Sequence, residues 1–148
     1  MRKIERKIEI QTSIQKAWGI ISNFEIYPSL VPEVDRLEVL HHDPNLQTAI
    51  LRVYSRLPFL GQEVIAEQKI TYCPKQYKIN FQQHKGKFLE FYGHRFLIDL
   101  GNKIEFHSCV NFLWDRTWTG EMMHFALEPI IIKNIEEMQK NVKKLLES

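Results

Sequence analysis

The chain has 148 residues, 44% of them hydrophobic, with 20 Lys and Arg against 18 Asp and Glu for a net charge of +2. That length suits one domain spanning 1–148 with room for a sizeable core. Near-balanced charge without a basic run argues against direct nucleic-acid binding. Cys73 and Cys109 stand far apart, and the opening Met1-Arg2-Lys3-Ile4-Glu5-Arg6 carries no apolar leader. The expectation is a reduced, cytoplasmic chain without structural disulfides.

Ile4, Arg6, Ile8 and Ile10 alternate with Glu5, Lys7 and Glu9, the period of a strand with one wet face. Thr12 stands three residues before Gln15 in a capping-box arrangement, and Ile14, Ala17, Trp18 and Ile21 follow at helical spacing. This predicts a first helix, ended at Asn23. Residues 24–32 hold Pro28 and Pro32 among apolar residues, which fits a short second helix or a packed turn.

Strands are predicted over 34–42, 46–57, 62–72, 77–84, 88–100 and 103–114, with turns at His42-Asp43-Pro44-Asn45, Cys73-Pro74-Lys75-Gln76, Lys85-Gly86-Lys87 and Gly101-Asn102. A long helix over 119–146 closes the chain. Its stripe of Met123, Leu127, Ile130, Ile131, Met138, Val142 and Leu145 needs a cover, and a curved sheet supplies one. Pro129 lacks a backbone donor and is predicted to kink or divide that helix. The expected architecture is α+β: about seven antiparallel strands gripping the last helix, with two short helices after the first strand.

Ile104, Phe106, Ser108, Val110 and Phe112 should face the long helix, as should Tyr77, Ile79 and Phe81, and Val64, Ala66, Gln68 and Ile70. On the strand from Phe88, two sets compete. Leu89, Phe91 and Leu97 form one; Phe88, Tyr92, Phe96 and Ile98 form the other. The second is favoured, and it turns Glu90 and His94 inward. Gln68, Glu90, His94 and Ser108 would then be polar groups on an apolar surface, each needing a partner from protein, water or ligand.

A sheet curled around a helix encloses a pocket, so Tyr77, Phe81, Phe96, Phe106 and Phe112 either line a cavity or fill a core. Met123, Leu127 and Ile131 would form the helix side. Pro58, Phe59 and Leu60 read either as a gate or as a loop folded onto the body. His94 with Glu90, and Tyr72 nearby, is the one constellation suited to acid–base chemistry; an imidazole there would act as a base or orient a ligand. Arg116, Trp118 and Met122 fit the cavity mouth or a capping cluster. His41-His42 with Asp43, and His107 with Cys109, are poor metal sets, because adjacent strand residues diverge and further ligands are lacking. No metal or cofactor is expected, since no glycine-rich nucleotide loop, Ser-His-Asp order or paired-cysteine motif occurs.

The order of elements, together with Ala17-Trp18, the run Phe24-Glu25-Ile26-Tyr27-Pro28-Ser29-Leu30-Val31-Pro32, Gly86-Lys87-Phe88, Tyr92-Gly93-His94-Arg95-Phe96 and Ile104-Glu105-Phe106-His107, resembles the START-like (SRPBCC) superfamily. The nearest branch is the polyketide cyclase/dehydrase group, with its coenzyme-Q-binding and ribosome-association-toxin proteins. The resemblance covers essentially the whole chain and implies the helix-grip fold. It also implies an apolar molecule held between sheet and C-terminal helix: a lipid, an isoprenoid quinone or a polyketide-like aromatic. Gln68, Glu90 and His94 would orient that ligand. Two other readings stand beside this carrier: a cyclase, aromatase or dehydrase with His94 as base, and an interaction protein acting on ribosomes. Transient membrane or ribosome contact belongs among the implied partners.

Overall fold

The computed structural model describes residues 1–56, 63–114 and 121–148, with side chains in the last stretch from Phe125 onward. The expected gate of Pro58, Phe59 and Leu60 lies outside the described residues, as do Arg116, Trp118 and the side chains of Met122 and Met123. The elements run β1 (Arg2–Ile10), α1 (Ile14–Ile21), α2 (Tyr27–Leu30), β2 (Val34–Asp43), β3 (Thr48–Arg56), β4 (Glu63–Cys73), β5 (Lys78–Lys85), β6 (Phe88–Asp99), β7 (Ile104–Trp114) and α3 (Glu121–Glu147). Seven strands form one sheet in the order β1-β7-β6-β5-β4-β3-β2. Every neighbouring pair is antiparallel, so hairpins link β2 through β7 and the first strand closes onto the last.

The first helix starts one residue later than expected. Ser13, not Thr12, is the cap: its backbone is extended (φ −80°, ψ 152°), and its hydroxyl accepts from the Lys16 N–H at 3.3 Å. Buried Ile14, Ala17 and Ile21 fix this helix to the body. A 3-10 turn at Phe24–Ile26 leads into α2, whose buried Tyr27 donates from its hydroxyl to the Ile21 carbonyl at 2.7 Å. Pro28 thus sits in the first turn of α2 and Pro32 just past its end, so residues 24–32 hold the short second helix that was one of the two expectations.

On α3, Leu127, Ile131, Ile135, Met138 and Val142 are buried in steps of four, four, three and four, which places them on one face. Leu145, expected in that stripe, is exposed, and Ile135 takes a place in it. Pro129 does not divide the helix; it sits exposed within a continuous Glu121–Glu147. The helix gives up one backbone hydrogen bond at this exposed position and continues. Polar ties lock the helix to the sheet and to α2. Gln139 Nε2 donates to the carbonyls of Arg6 and Phe106, each at 3.2 Å, Asn141 Nδ2 to Leu30 O at 2.8 Å, and Lys143 Nζ to Glu9 O at 2.7 Å.

The inward faces of β4, β5 and β7 follow the alternation: Ile70, Ile79, Phe81, Ile104, Phe106, Val110 and Phe112 are all buried. Strand β6 is the correction. Its register against β7 slips between Phe88 and Glu90, a bulge that spends one extra residue at Leu89. Phe88 and Phe91 therefore share the inner face, and Gly93, Arg95 and Leu97 continue it. Tyr92, His94, Phe96 and Ile98 point to the convex side. Counting by twos from Phe88 crosses the bulge and reverses every later residue.

Candidate functional site

Between the concave face of the sheet and α3 lies a cavity of about 190 Å³. Its walls are mostly apolar. Leu51 and Val53 come from β3, Val64 and Ala66 from β4, Phe81 from β5, Phe88 and Phe91 from β6, and Val110 from β7; Leu127, Ile130, Ile131, Ile135 and Met138 form the helix side. Tyr27, Val31, Val34 and Leu37 close one end. The ring walls interlock: Phe88 meets Phe91 at 4.9 Å and Trp114 edge-on at 4.7 Å, and Phe81 lies 6.0 Å from Phe91.

Set in these walls are Glu33, Ser55, Gln68, Gln83, Lys87, Arg95, Ser108 and Asn134. Gln83 is occupied by the β5–β6 turn, donating to the Phe88 carbonyl at 2.8 Å. Arg95 is the charged group with the most defined setting. Its guanidinium carbon lies 4.6 Å from the Phe81 ring centre and 5.0 Å from that of Tyr27, and its Nη1 donates to the Tyr27 hydroxyl at 3.3 Å. Among the described residues no carboxylate pairs with it. Two aromatic faces and one hydroxyl hold the cation in place and leave most of its five N–H donors for something else.

Of the residues expected at the site, the structure gathers Gln68, Phe81, Ser108, Leu127 and Ile131 on the cavity wall. Phe106 and Phe112 face inward but are fully buried core beside it. Tyr77 is half-buried and packs edge-on against Trp18 of α1 at 6.0 Å, at the αL position (φ 51°) that follows the β4–β5 turn. Glu90, His94 and Phe96 stand on the convex face, turned there by the bulge. His94 lies 5.7 Å from Phe96, which stacks on His107 at 4.5 Å and 9°, and the His107 ring pairs with Glu105 at 3.1 Å. Burial, followed by the Lys78 charge, holds the His94 imidazole below its ordinary pKa, which keeps it neutral. The expected pair of His94 and Glu90 therefore does not enter the cavity. Among the described residues no cluster of metal-ligating side chains occurs.

Arg95, Tyr27, Glu33, Phe91 and Asn134 line the cavity but were not expected as site residues from the sequence. For Arg95 and Phe91 the obstacle was the same reversed parity on β6. Asn134 had a readable signal, since it is a polar residue three after Ile131 and one before Ile135 on the apolar stripe.

A family model described as "Polyketide cyclase / dehydrase and lipid transport" matches residues 10–142. No curated protein matches the chain. Among solved structures, the Zhui aromatase/cyclase from a Streptomyces species is similar at a TM-score of 0.88 and 13% identity, with 99% of this chain and 93% of that one covered. A START superfamily protein from Mycobacterium smegmatis is similar at 0.79 and 18%, covering 98% and 97%, and ginseng (Panax ginseng) major latex-like protein 151 at 0.74 and 8%, covering 98% and 97%. At such identities the likeness is one of fold, and the fold shared is the START-like helix grip. The family match supports binding of a hydrophobic small molecule, or a polyketide-cyclase role upon one. With nearly all of the chain inside that match, it belongs to the polyketide cyclase/dehydrase and lipid-transport family.

Proposed function

We propose that the protein binds a compact, largely apolar molecule in the cavity between sheet and α3, with Arg95 holding an anionic or carbonyl oxygen of that ligand. The observation that carries this is the Arg95 guanidinium, set in an apolar wall against Phe81 and Tyr27 with no carboxylate partner among the described residues. A cation in such a place is stabilised by an oxygen ligand brought to it. The volume argues for one or two rings: a cavity of roughly 150 Å³ already takes a benzene, and this one is about 190 Å³. A ring system with about 200 Å² of apolar surface would contribute roughly 5 kcal/mol from burial before the costs of association. The size favours a ring headgroup over a long acyl or prenyl chain, so a quinone would seat its ring here rather than its tail. Contact with membranes or ribosomes draws no support from the site or the comparisons.

A cyclase or dehydrase reaction in the same cavity is the second reading. It is favoured by Glu33 and Arg95 both lining the cavity, a carboxylate able to take a proton from an acidic carbon and a cation able to hold the enolate oxygen. His94 has no part in it.

Equilibrium dialysis with 2-naphthoate and naphthalene tests the binding reading. Arg95→Met should weaken 2-naphthoate by roughly tenfold to a hundredfold, the range of a charge-assisted hydrogen bond, while naphthalene affinity stays. Equal naphthoate binding by the variant would remove Arg95 from the site. Failure of the native chain to bind either compound would remove the cavity reading itself.

A further inference from the structure

Two buried side-chain oxygens lack a hydrogen-bond partner among the described residues, Ser108 Oγ and Asn134 Oδ1. Both line the same cavity. Leaving either unpaired costs stability, so a chain that places both on one apolar surface implies a group that pairs them.

Their levels along the cavity can be read from the ties between α3 and β7. Gln139 bonds to the Phe106 carbonyl, and farther toward the helix start Glu128 pairs at 3.1 Å with Arg2, whose strand partner is Phe112. Moving back along the helix from Gln139 therefore means moving forward along β7 from Phe106. Asn134 is five residues back, about 7.5 Å at the helical rise. Ser108 is two residues forward, about 6.8 Å at the strand rise. The two residues thus stand at about the same level along the cavity, one on the helix side and one on the sheet side. Arg95 is directly opposite Ser108 in the β6–β7 register, on the same inward face.

Resting on the ligand reading above, we infer that Ser108 and Asn134 form a subsite for a hydroxyl carried on the ligand ring, beside the oxygen that Arg95 holds. The chemistry of the two groups selects it. Asn134 Oδ1 only accepts, whereas the Ser108 hydroxyl both donates and accepts. A ligand hydroxyl donates to Asn134 and accepts from Ser108, pairing both at once. A carbonyl pairs Ser108 alone, an ammonium is repelled by Arg95, and a plain hydrocarbon pairs neither. The favoured ligands are hydroxylated one- or two-ring compounds with a second oxygen close by.

The test is equilibrium dialysis of the whole chain with 2-naphthol and with naphthalene, which differ by the hydroxyl alone. The native chain should prefer 2-naphthol by about tenfold or more, because a site built to pair a hydroxyl rejects the analogue lacking it. Ser108→Ala and Asn134→Leu should each shrink that preference to within about threefold, with naphthalene binding kept or tightened. Thermal melting of the free chain is the second readout: Ser108→Ala removes an unpaired buried hydroxyl and should melt at or above the native temperature. Naphthalene bound without any preference for 2-naphthol would overturn the subsite and leave the cavity reading standing. Binding of neither compound would overturn both. A preference that survives both substitutions, or a lower melting temperature for Ser108→Ala, would also overturn the subsite.

Discussion

Gly93 decides how closely β6, β7 and β5 approach beneath the cavity. A Cβ there would press on the Cys109 carbonyl of β7 and fall 2.8 Å from Phe81 Cζ. The carbonyl belongs to a paired strand and cannot yield, so Gly93→Ala should destabilise the chain by about 1–3 kcal/mol, seen as a lower urea midpoint. Because Phe81 is also the ring under the Arg95 guanidinium, the same variant should bind 2-naphthoate less tightly. An unchanged midpoint would mean that the strands separate at this point without cost. Single residues of this kind shape the cavity: a missing side chain at Gly93 admits Phe81, Phe81 seats Arg95, and Arg95 lines the cavity wall.

At the scale of elements, α3 is both the core of the fold and one wall of the cavity, and Pro129 is its irregular residue. The helix passes through Pro129 with its ring exposed. Alanine restores a backbone donor there and has the higher helix propensity, so Pro129→Ala should stabilise the chain by roughly 1–3 kcal/mol, read as a higher melting temperature. A fall would show that the proline shapes the helix for its seat on the sheet. Helix and strands differ in how plainly the sequence declares them. Period two in β1, β4 and β7, and in β5 up to the shift at His84, together with the long apolar stripe of α3, announces the architecture. Strand β6 does not, since a single bulge at Leu89 shifts its parity and no residue type marks the shift. That one residue moved Glu90, His94 and Phe96 out of the cavity and brought Arg95 in. Ser108, on a strand without such a slip, and Gln68, beside a shift whose extra residue falls on β5 and not on β4, stand where alternation placed them. Where α3 sits above the sheet depends on ties such as Gln139 to Phe106, which join residues distant in sequence and leave no periodic trace.

For the whole molecule, the perturbed groups set how stability falls with acid. Burial holds the folded His94 pKa below the ordinary value of 6.5, so between that lower value and 6.5 the unfolded chain binds more protons than the folded one. The contribution is complete above pH 6.5 and is lost as pH falls through the folded value. Glu67, lowered first by its bond to His84 and then by Arg52, Glu105, lowered by His107, and Glu147, lowered by the Gln11 N–H, behave the same way in a more acid range. Each adds stability above pH 4.5 that is lost as pH falls through its folded value. The native chain should therefore lose urea resistance in two stages, a first below pH 6.5 and a second below pH 4.5. His94→Phe keeps a ring beside Phe96 on the convex face and has no proton to take up, so it should shrink the first stage and leave the second. Urea midpoints at pH 7.5, 5.5 and 3.5 for both proteins measure this directly. If the variant loses as much between the first two as the native chain does, the first stage arises elsewhere. Since His94 lies across the sheet from the cavity, the same substitution should leave 2-naphthoate binding at pH 7.5 unchanged, which separates the residue that governs acid stability from those that govern the site.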